Sequence, residues 1–238
     1  MKLLAVFGLI LICYNVSATE TSKYANLLET FLIKFKTTMK TGDEKLGIPV
    51  LDPFKADRLA IDLKEDTINL NANLTKVNVN GLSEYDIIAA NLAFSIVSGT
   101  VNLTIHLSWP LVAASTGYGL NAQIQDFELY GNGNMSLSAQ EFVFETHIYF
   151  VMDENKLNGY LKVDKMILNL SLKSLDFEAT GIFDDDELSK IISAVISDMA
   201  PRLISDGKIT NEIQKLIKQK LDAFLASMTF LEILQLFM

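Results

Sequence analysis

Polar and apolar residues alternate with a period near two from Asp57 to Ile182, and with a period near 3.6 on either side of that region. Ile61, Leu63, Ile68, Leu70, Ala72 and Leu74 form one hairpin-like stretch, and Val77 and Val79 resume it after a register change at Lys76. Gly81 breaks the run and Tyr85 to Ile96 takes it up again. After Gly99, the unbroken alternation of Val101, Leu103, Ile105, Leu107 and Trp109 predicts a strand that Pro110 ends or places at an edge. Gly117-Tyr118-Gly119 reads as a turn before a strand, Tyr118 to Tyr130, whose apolar parity shifts between Ile124 and Phe127 as at a β-bulge. Gly131-Asn132-Gly133-Asn134 reads as a tight turn. Phe142, Phe144, Thr146, Ile148, Phe150 and Met152 alternate again, Asp153 to Gly159 is a loop, and strand signal returns from Leu161 to Ile182. No helical crossover separates these runs, so the sheet is expected to be an antiparallel meander with one face in need of a second layer.

Helices supply that layer. Lys23 to Lys40 carries an apolar stripe of Tyr24, Leu27, Leu28, Phe31, Leu32, Phe35 and Met39, and Thr41-Gly42 ends it. From Asp186 to Asp206, Leu188, Ile191, Ile192, Val195, Ile196, Met199, Leu203 and Ile204 keep helical spacing over a rod of about 31 Å. Asp184 with Glu187 resembles a capping box with Asp in place of Ser or Thr, and Gly207 is a stop signal. Pro201 is expected to kink this helix. A further helix starts near Ile209, with Lys208, Lys215, Lys218 and Lys220 on its polar side. The pattern predicts a long curved sheet around the Asp186 helix, with an apolar ligand between the two.

Composition narrows the function. Half of the 238 residues are hydrophobic, enough for a substantial core, and the formal charge is −9. No Lys/Arg cluster exceeds two residues, which argues against nucleic acid and anionic membranes as partners. Lys2, the apolar run Leu3 to Cys13 and Val16-Ser17-Ala18 make residues 1–18 a secretory signal peptide, leaving 19–238 as one domain. Cys13 is the only cysteine, so the secreted chain relies on its core rather than on a disulfide. Asn73, Asn102, Asn134 and Asn169 head N-x-[ST] sequons and are candidate glycan acceptors, Asn134 foremost because of its turn.

Three stretches together resemble a known family. They are Leu46 to Phe54 (LGIPVLDPF), Val77 to Ile87 (VNVNGLSEYDI), and Leu107 to Leu137 with Pro110, Tyr118 and Gly131-Asn132-Gly133. Their order and spacing resemble the insect takeout and juvenile-hormone-binding proteins, over nearly the whole chain after the signal. The resemblance implies an α+β tubular lipid-binding fold: a long, highly curved antiparallel β-sheet wrapped around a long C-terminal α-helix. Bactericidal/permeability-increasing-like proteins and mite group 7 allergens share that superfamily, whose members hold long apolar ligands in an internal tunnel. The family usually has a disulfide near the mature N-terminus, which this chain lacks.

Catalytic signatures are missing from the sequence. It contains no G-x-S-x-G, H-E-x-x-H, P-loop or Cys/His cluster. His106 and His147 lie on strand positions opposite in parity to Ile105 and Ile148, and are expected to face outward. Asp184-Asp185-Asp186 is explained by helix capping rather than by a cation. The sequence therefore reads as a non-enzyme that needs no cofactor: a secreted, extracellular, monomeric carrier of a juvenile-hormone-like terpenoid, fatty acid or related lipid. The expected lining is Phe94, Ile96, Leu103, Ile105, Tyr118, Phe127, Phe142, Phe144, Ile148, Ile192, Val195, Ile196, Met199 and Leu203, with Tyr118, Ser95 or Thr146 available to read a polar head group. The alternative is a surface-active or immune protein that recognises membranes or bacterial lipids through its lysine-bearing last helix, with transient membrane or receptor contact.

Overall fold

A computed structural model describes residues 21–44, 47–65, 68–95, 98–124, 127–152, 159–229 and 232. The expected signal peptide, Ile96, most of the loop after Met152 and the end of the last helix lie outside them. In chain order the elements are α1 (Thr21–Thr41), β1 (Phe54–Glu65), β2 (Ile68–Asn80), β3 (Asp86–Ser95), β4 (Thr100–Ile124), β5 (Phe127–Met152), β6 (Leu161–Ser171), β7 (Ser174–Ala179), α2 (Asp186–Ser205) and α3 (Lys208–Leu225). All seven strands form one antiparallel sheet.

The sheet is built on β4 and β5, of 25 and 26 residues, a hairpin with a contour length of about 80 Å. They hold one register from Thr100↔Val151 to Ile124↔Phe127. The parity shift at Ile124 and Phe127 is therefore the reversal of a hairpin rather than a bulge. β4 passes through Pro110 instead of ending there. Its outer neighbour changes at that point from β3, paired as far as Ser108, to β2, paired from Ala113, so the missing N–H falls in the gap between the two ladders. The apolar parity of the hairpin also resets there, beside Glu141 with φ 47. The register change expected at Lys76 is present: its φ is 51 and the β2–β4 ladder shifts between Thr75 and Asn78.

Two expected turns are strand instead. Gly117-Tyr118-Gly119 lies inside β4, and 131–134 lies inside β5 opposite it. The reason is steric. The chain between β7 and α2 crosses directly over β5, where a Cβ on Gly133 would stand 2.1 Å from the Thr180 carbonyl oxygen and one on Gly131 would stand 2.6 Å from that of Gly181. Glycine here allows backbone to approach backbone.

Most of the core lies at one end of the hairpin. Leu28, Leu32, Phe35 and Met39 of α1 and Leu221 and Leu225 of α3 pack with Leu103, Ile105, Ile148 and Phe150 of the sheet. The segment before β1 is fastened to the turn after β2: Gly81 N–H and Ser83 N–H donate to the Asp52 carboxylate at 2.9 and 2.8 Å, and the Ser83 hydroxyl also donates to it. Partial burial pushes the Asp52 carboxyl up. The bonds from Ser83 and Gly81, with Lys40 nearby, overcome this and hold it below the ordinary carboxylate range. Trp109 Nε1 donates to the Leu82 carbonyl at 2.9 Å, and the Tyr85 hydroxyl donates to Leu32 at 2.7 Å. The stretches that carried the family resemblance are thus bonded to one another.

Candidate functional site: the α2 stripe and the sheet face opposite it

The other end of the hairpin is packed differently. Directly paired residues of antiparallel strands share a face. Leu59 pairs with Leu74, Leu74 with Tyr118, Ala72 with Leu120, Ala122 with Leu129, Met135 with Ala179 and Leu137 with Phe177. One apolar face therefore runs across β1, β2, β4, β5 and β7. The opposite face carries Arg58, Asp62, Asn71, Asn73, Asn121, Asn132 and Asn134. Among the described residues the cluster buried on the apolar side is small and is centred on Tyr118, Ala179 and Ile182, with Ala72 and Ala122 buried nearby on the same face.

α2 is seated beside this face by serines. Ser189, Ser193 and Ser197 recur every fourth residue, and their hydroxyls accept the N–H groups of Ile182, Ala179 and Phe177 at 2.8, 3.0 and 2.9 Å. The Phe177 and Ala179 N–H groups lie at the outer edge of β7 and that of Ile182 just beyond the strand, so the helix satisfies an edge that would otherwise lack partners. The helix is capped by Asp185, whose side chain accepts from Glu187 N–H and Leu188 N–H, both at 2.9 Å. The cap is thus one residue later than the Asp184–Glu187 box expected from the sequence, because Phe183 and Asp184 take φ 54 and 56 where the chain turns into the helix.

With its serines against the strand, α2 leaves its apolar stripe largely uncovered. Ile192 packs on the cluster around Tyr118. Val195, Ile196, Met199 and Leu203 continue the same stripe with 38–48% of their surface exposed, and Ile191 reaches 60%. On the sheet side, Leu59 and Ile61 are 38% and 42% exposed. The α2 stripe thus reaches the apolar sheet face through Ile192, while the rest of the stripe and Leu59 and Ile61 of the sheet stay exposed. The Tyr118 hydroxyl donates to the Thr180 carbonyl at 2.9 Å, and burial pushes its pKa up, so it is a neutral phenol with lone-pair capacity left.

The residues expected to line a site divide in two. Tyr118, Ile192, Val195, Ile196, Met199 and Leu203 belong to this region. Leu103, Ile105 and Ile148 are buried in the core under α1 and α3, Phe144 packs against that core, and Phe142 lies 5.7 Å from Trp109 in ring contact. Phe94 and Phe127 stand on strands at Val101 and Ile124 respectively, their side chains outside the described residues, as is Ile96. Thr146 is buried with its hydroxyl donated to the Ile167 carbonyl, so it is not free as a head-group donor, and Ser95 accepts from Ser98 N–H at 3.3 Å in an exposed hydrogen bond at the end of β3. Leu59, Ile61, Leu74, Leu120 and Met135 were missed as wall residues. Their alternation was visible, but which strands lie side by side was not.

Polar chemistry is sparse. Among the described residues no group of His, Cys, Asp and Glu is placed to hold a metal ion. His147 meets Thr104 at 3.1 Å and Glu145 at 3.3 Å on the outer side of the sheet, where His106 pairs with Glu145 across the ladder. Asn73, Asn102, Asn134 and Asn169 are all exposed on strands. Among the described residues no helix is long and apolar enough to cross a membrane.

Comparison with known proteins agrees with this architecture. Residues 13–235 match the family model of the haemolymph juvenile hormone binding proteins. No curated protein matches the sequence significantly. Among solved structures, Takeout 1 of Epiphyas postvittana superposes with a TM-score of 0.53 at 19% identity, covering 92% of this chain and 96% of that one. A lipopolysaccharide binding protein aligns more distantly, with a TM-score of 0.35 at 12% identity over 88% of this chain and 39% of that one. A family match over nearly the full length, carried by an open antiparallel sheet with helices beside it, shows that this chain belongs to the haemolymph juvenile hormone binding protein family.

Proposed function

We propose that the protein is a secreted carrier that holds one small hydrophobic ligand, a terpenoid, fatty acid or related lipid, between the α2 stripe and the apolar sheet face. The observation that carries this reading is the exposure of Val195, Ile196, Met199 and Leu203 on the same stripe as Ile192, which touches that face. Membership of a family named for binding juvenile hormone supports it. A folded chain gains little by leaving such residues uncovered, whereas burying about ten ligand methylenes would gain roughly 8 kcal/mol gross. Association costs of roughly 4 kcal/mol leave about 4 kcal/mol net, which is millimolar binding, so a tighter carrier buries more than ten methylenes or adds a polar bond to the ligand. Tyr118 offers an acceptor to a ligand hydroxyl, and the rest of the site selects by length and shape. The sheet in this reading curves around α2 and closes on the ligand. The outward Asn73, Asn102, Asn134 and Asn169 carry glycans on the secreted protein.

The reading in which α3 acts on membranes has less support. Lys215 pairs with Glu212, and Lys218 bonds Asp222 and the Val163 carbonyl, so these lysines are engaged within the fold.

Native mass spectrometry of the secreted protein tests the carrier. The expected result is one apolar molecule per chain. A fluorescent fatty-acid probe should bind with about tenfold lower affinity to Met199→Asp while the thermal midpoint of the unliganded protein stays in place, because Met199 is exposed. An empty protein that also fails to bind the probe would sink the idea.

A further inference from the structure

β1 is the terminal strand of the sheet, and among the described residues no strand pairs with its outer edge. An open edge of this kind is a template for another strand. Its side chains are those of a self-complementary sequence. Two copies of one strand, paired antiparallel about a two-fold axis, must obey an even sum of residue numbers; otherwise inward and outward backbone groups would face each other. With the axis at Ala60, Arg58 faces Asp62 of the second copy and Leu59 faces its Ile61, while Lys55 falls opposite position 65, a glutamate. Moving the axis to residue 61 would set Arg58 against Lys64 and Asp57 against Glu65, and moving it to 62 or 58 would stack Asp62 or Arg58 on itself. An axis at 59 pairs no opposite charges. Only the Ala60 register among these satisfies both charge and hydropathy.

Among the described residues these charges face no counter-charge across the β1–β2 ladder. Arg58 stands across from Thr75, Asp62 from Asn71 and Lys55 from Asn78. Leu59 and Ile61 are exposed on the apolar face. We propose that β1 is a homodimer interface, in which a second copy adds its own β1 antiparallel about Ala60 and joins the two sheets edge to edge. The pairing covers Leu59 and Ile61 of each copy, makes the Arg58–Asp62 pair twice, and extends the apolar face from one subunit into the next. This replaces the monomer expected from the sequence. Opposite charges directly across a strand pair favour the register, and like charges oppose it.

Sedimentation of the protein freed of N-glycans tests this; Asn73, a sequon asparagine, stands opposite Ala60 in β2. Dimer is expected at about 200 µM, in the range of weak strand-edge association. Arg58→Asp alone and Asp62→Arg alone each replace two attractive pairs by two repulsive ones, and each should weaken the dimer about tenfold. The double variant restores both pairs with their signs exchanged and should recover it, which separates loss of pairing from loss of folding. In a Cys13→Ser chain, Ala60→Cys should cross-link under mild oxidation, because residues facing across the axis have Cα atoms about 4.5–5.5 Å apart. Ala56→Cys should not, its two copies standing ~26 Å apart along the strands. Monomer throughout, a dimer indifferent to Arg58→Asp, or equal cross-linking at both positions would overturn the proposal.

Discussion

A methyl group at position 133 would occupy the space where the chain crosses its own sheet. The Thr180 carbonyl lies 2.1 Å from where that carbon would be, and it is backbone, with no flexible end to move aside. Gly133→Ala should therefore destabilise the protein by about 2–4 kcal/mol, as overpacking against a fixed main chain does, and urea unfolding would measure it. A loss under about 0.5 kcal/mol would mean that the crossing is looser than the geometry indicates. The glycines drew attention in the sequence as turn residues. Their actual use, close approach of two backbone segments far apart in the chain, has no local signature that separates it from a turn. Asp185 teaches the same lesson on a smaller scale. Three consecutive aspartates announced a helix start, and which of them caps it depended on the positive φ at Phe183 and Asp184.

At the scale of the element, α2 is attached through hydrogen bonds along one stripe and leaves its greasiest stripe open. Helical periodicity located the helix to within a residue at each end and identified the apolar stripe, which was then assigned to the interior. What periodicity does not register is that Ser189, Ser193 and Ser197 also form a stripe, and that small hydroxyl side chains match a strand edge whose N–H groups need acceptors. The same solution recurs on α3, where Gln214 accepts Leu168 N–H and Asp222 accepts Val163 N–H on β6. Ser193→Ala would leave the Ala179 N–H buried without a partner, at a cost of about 1–3 kcal/mol. Amide exchange would read it as faster exchange at Phe177, Ala179 and Ile182 relative to β3. Unchanged protection there would show that the serines merely border the strand.

Across the whole molecule, the two ends of the long hairpin differ in packing. One end is closed by α1 and α3 over a continuous core, and the other holds a small cluster beside uncovered apolar walls. Two residues that sequence reasoning grouped together should therefore part company. Leu103→Ala, in the core, should cost about 2–5 kcal/mol of stability in the unliganded protein, and Val195→Ala under about 0.5 kcal/mol. Denaturant unfolding of the pair decides, and equal costs would contradict the division. The sequence by itself determined the helices, the antiparallel sheet, the outward parity of the histidines, and the family, because strand and helix periods and the order of short motifs are properties of neighbours along the chain. Which apolar residues pack on one another and which stay open was decided only in three dimensions. Leu103 and Val195 are equally apolar, and what separates them is that α1 and α3 cover the first while α2, held to β7 by its serines, leaves the second uncovered.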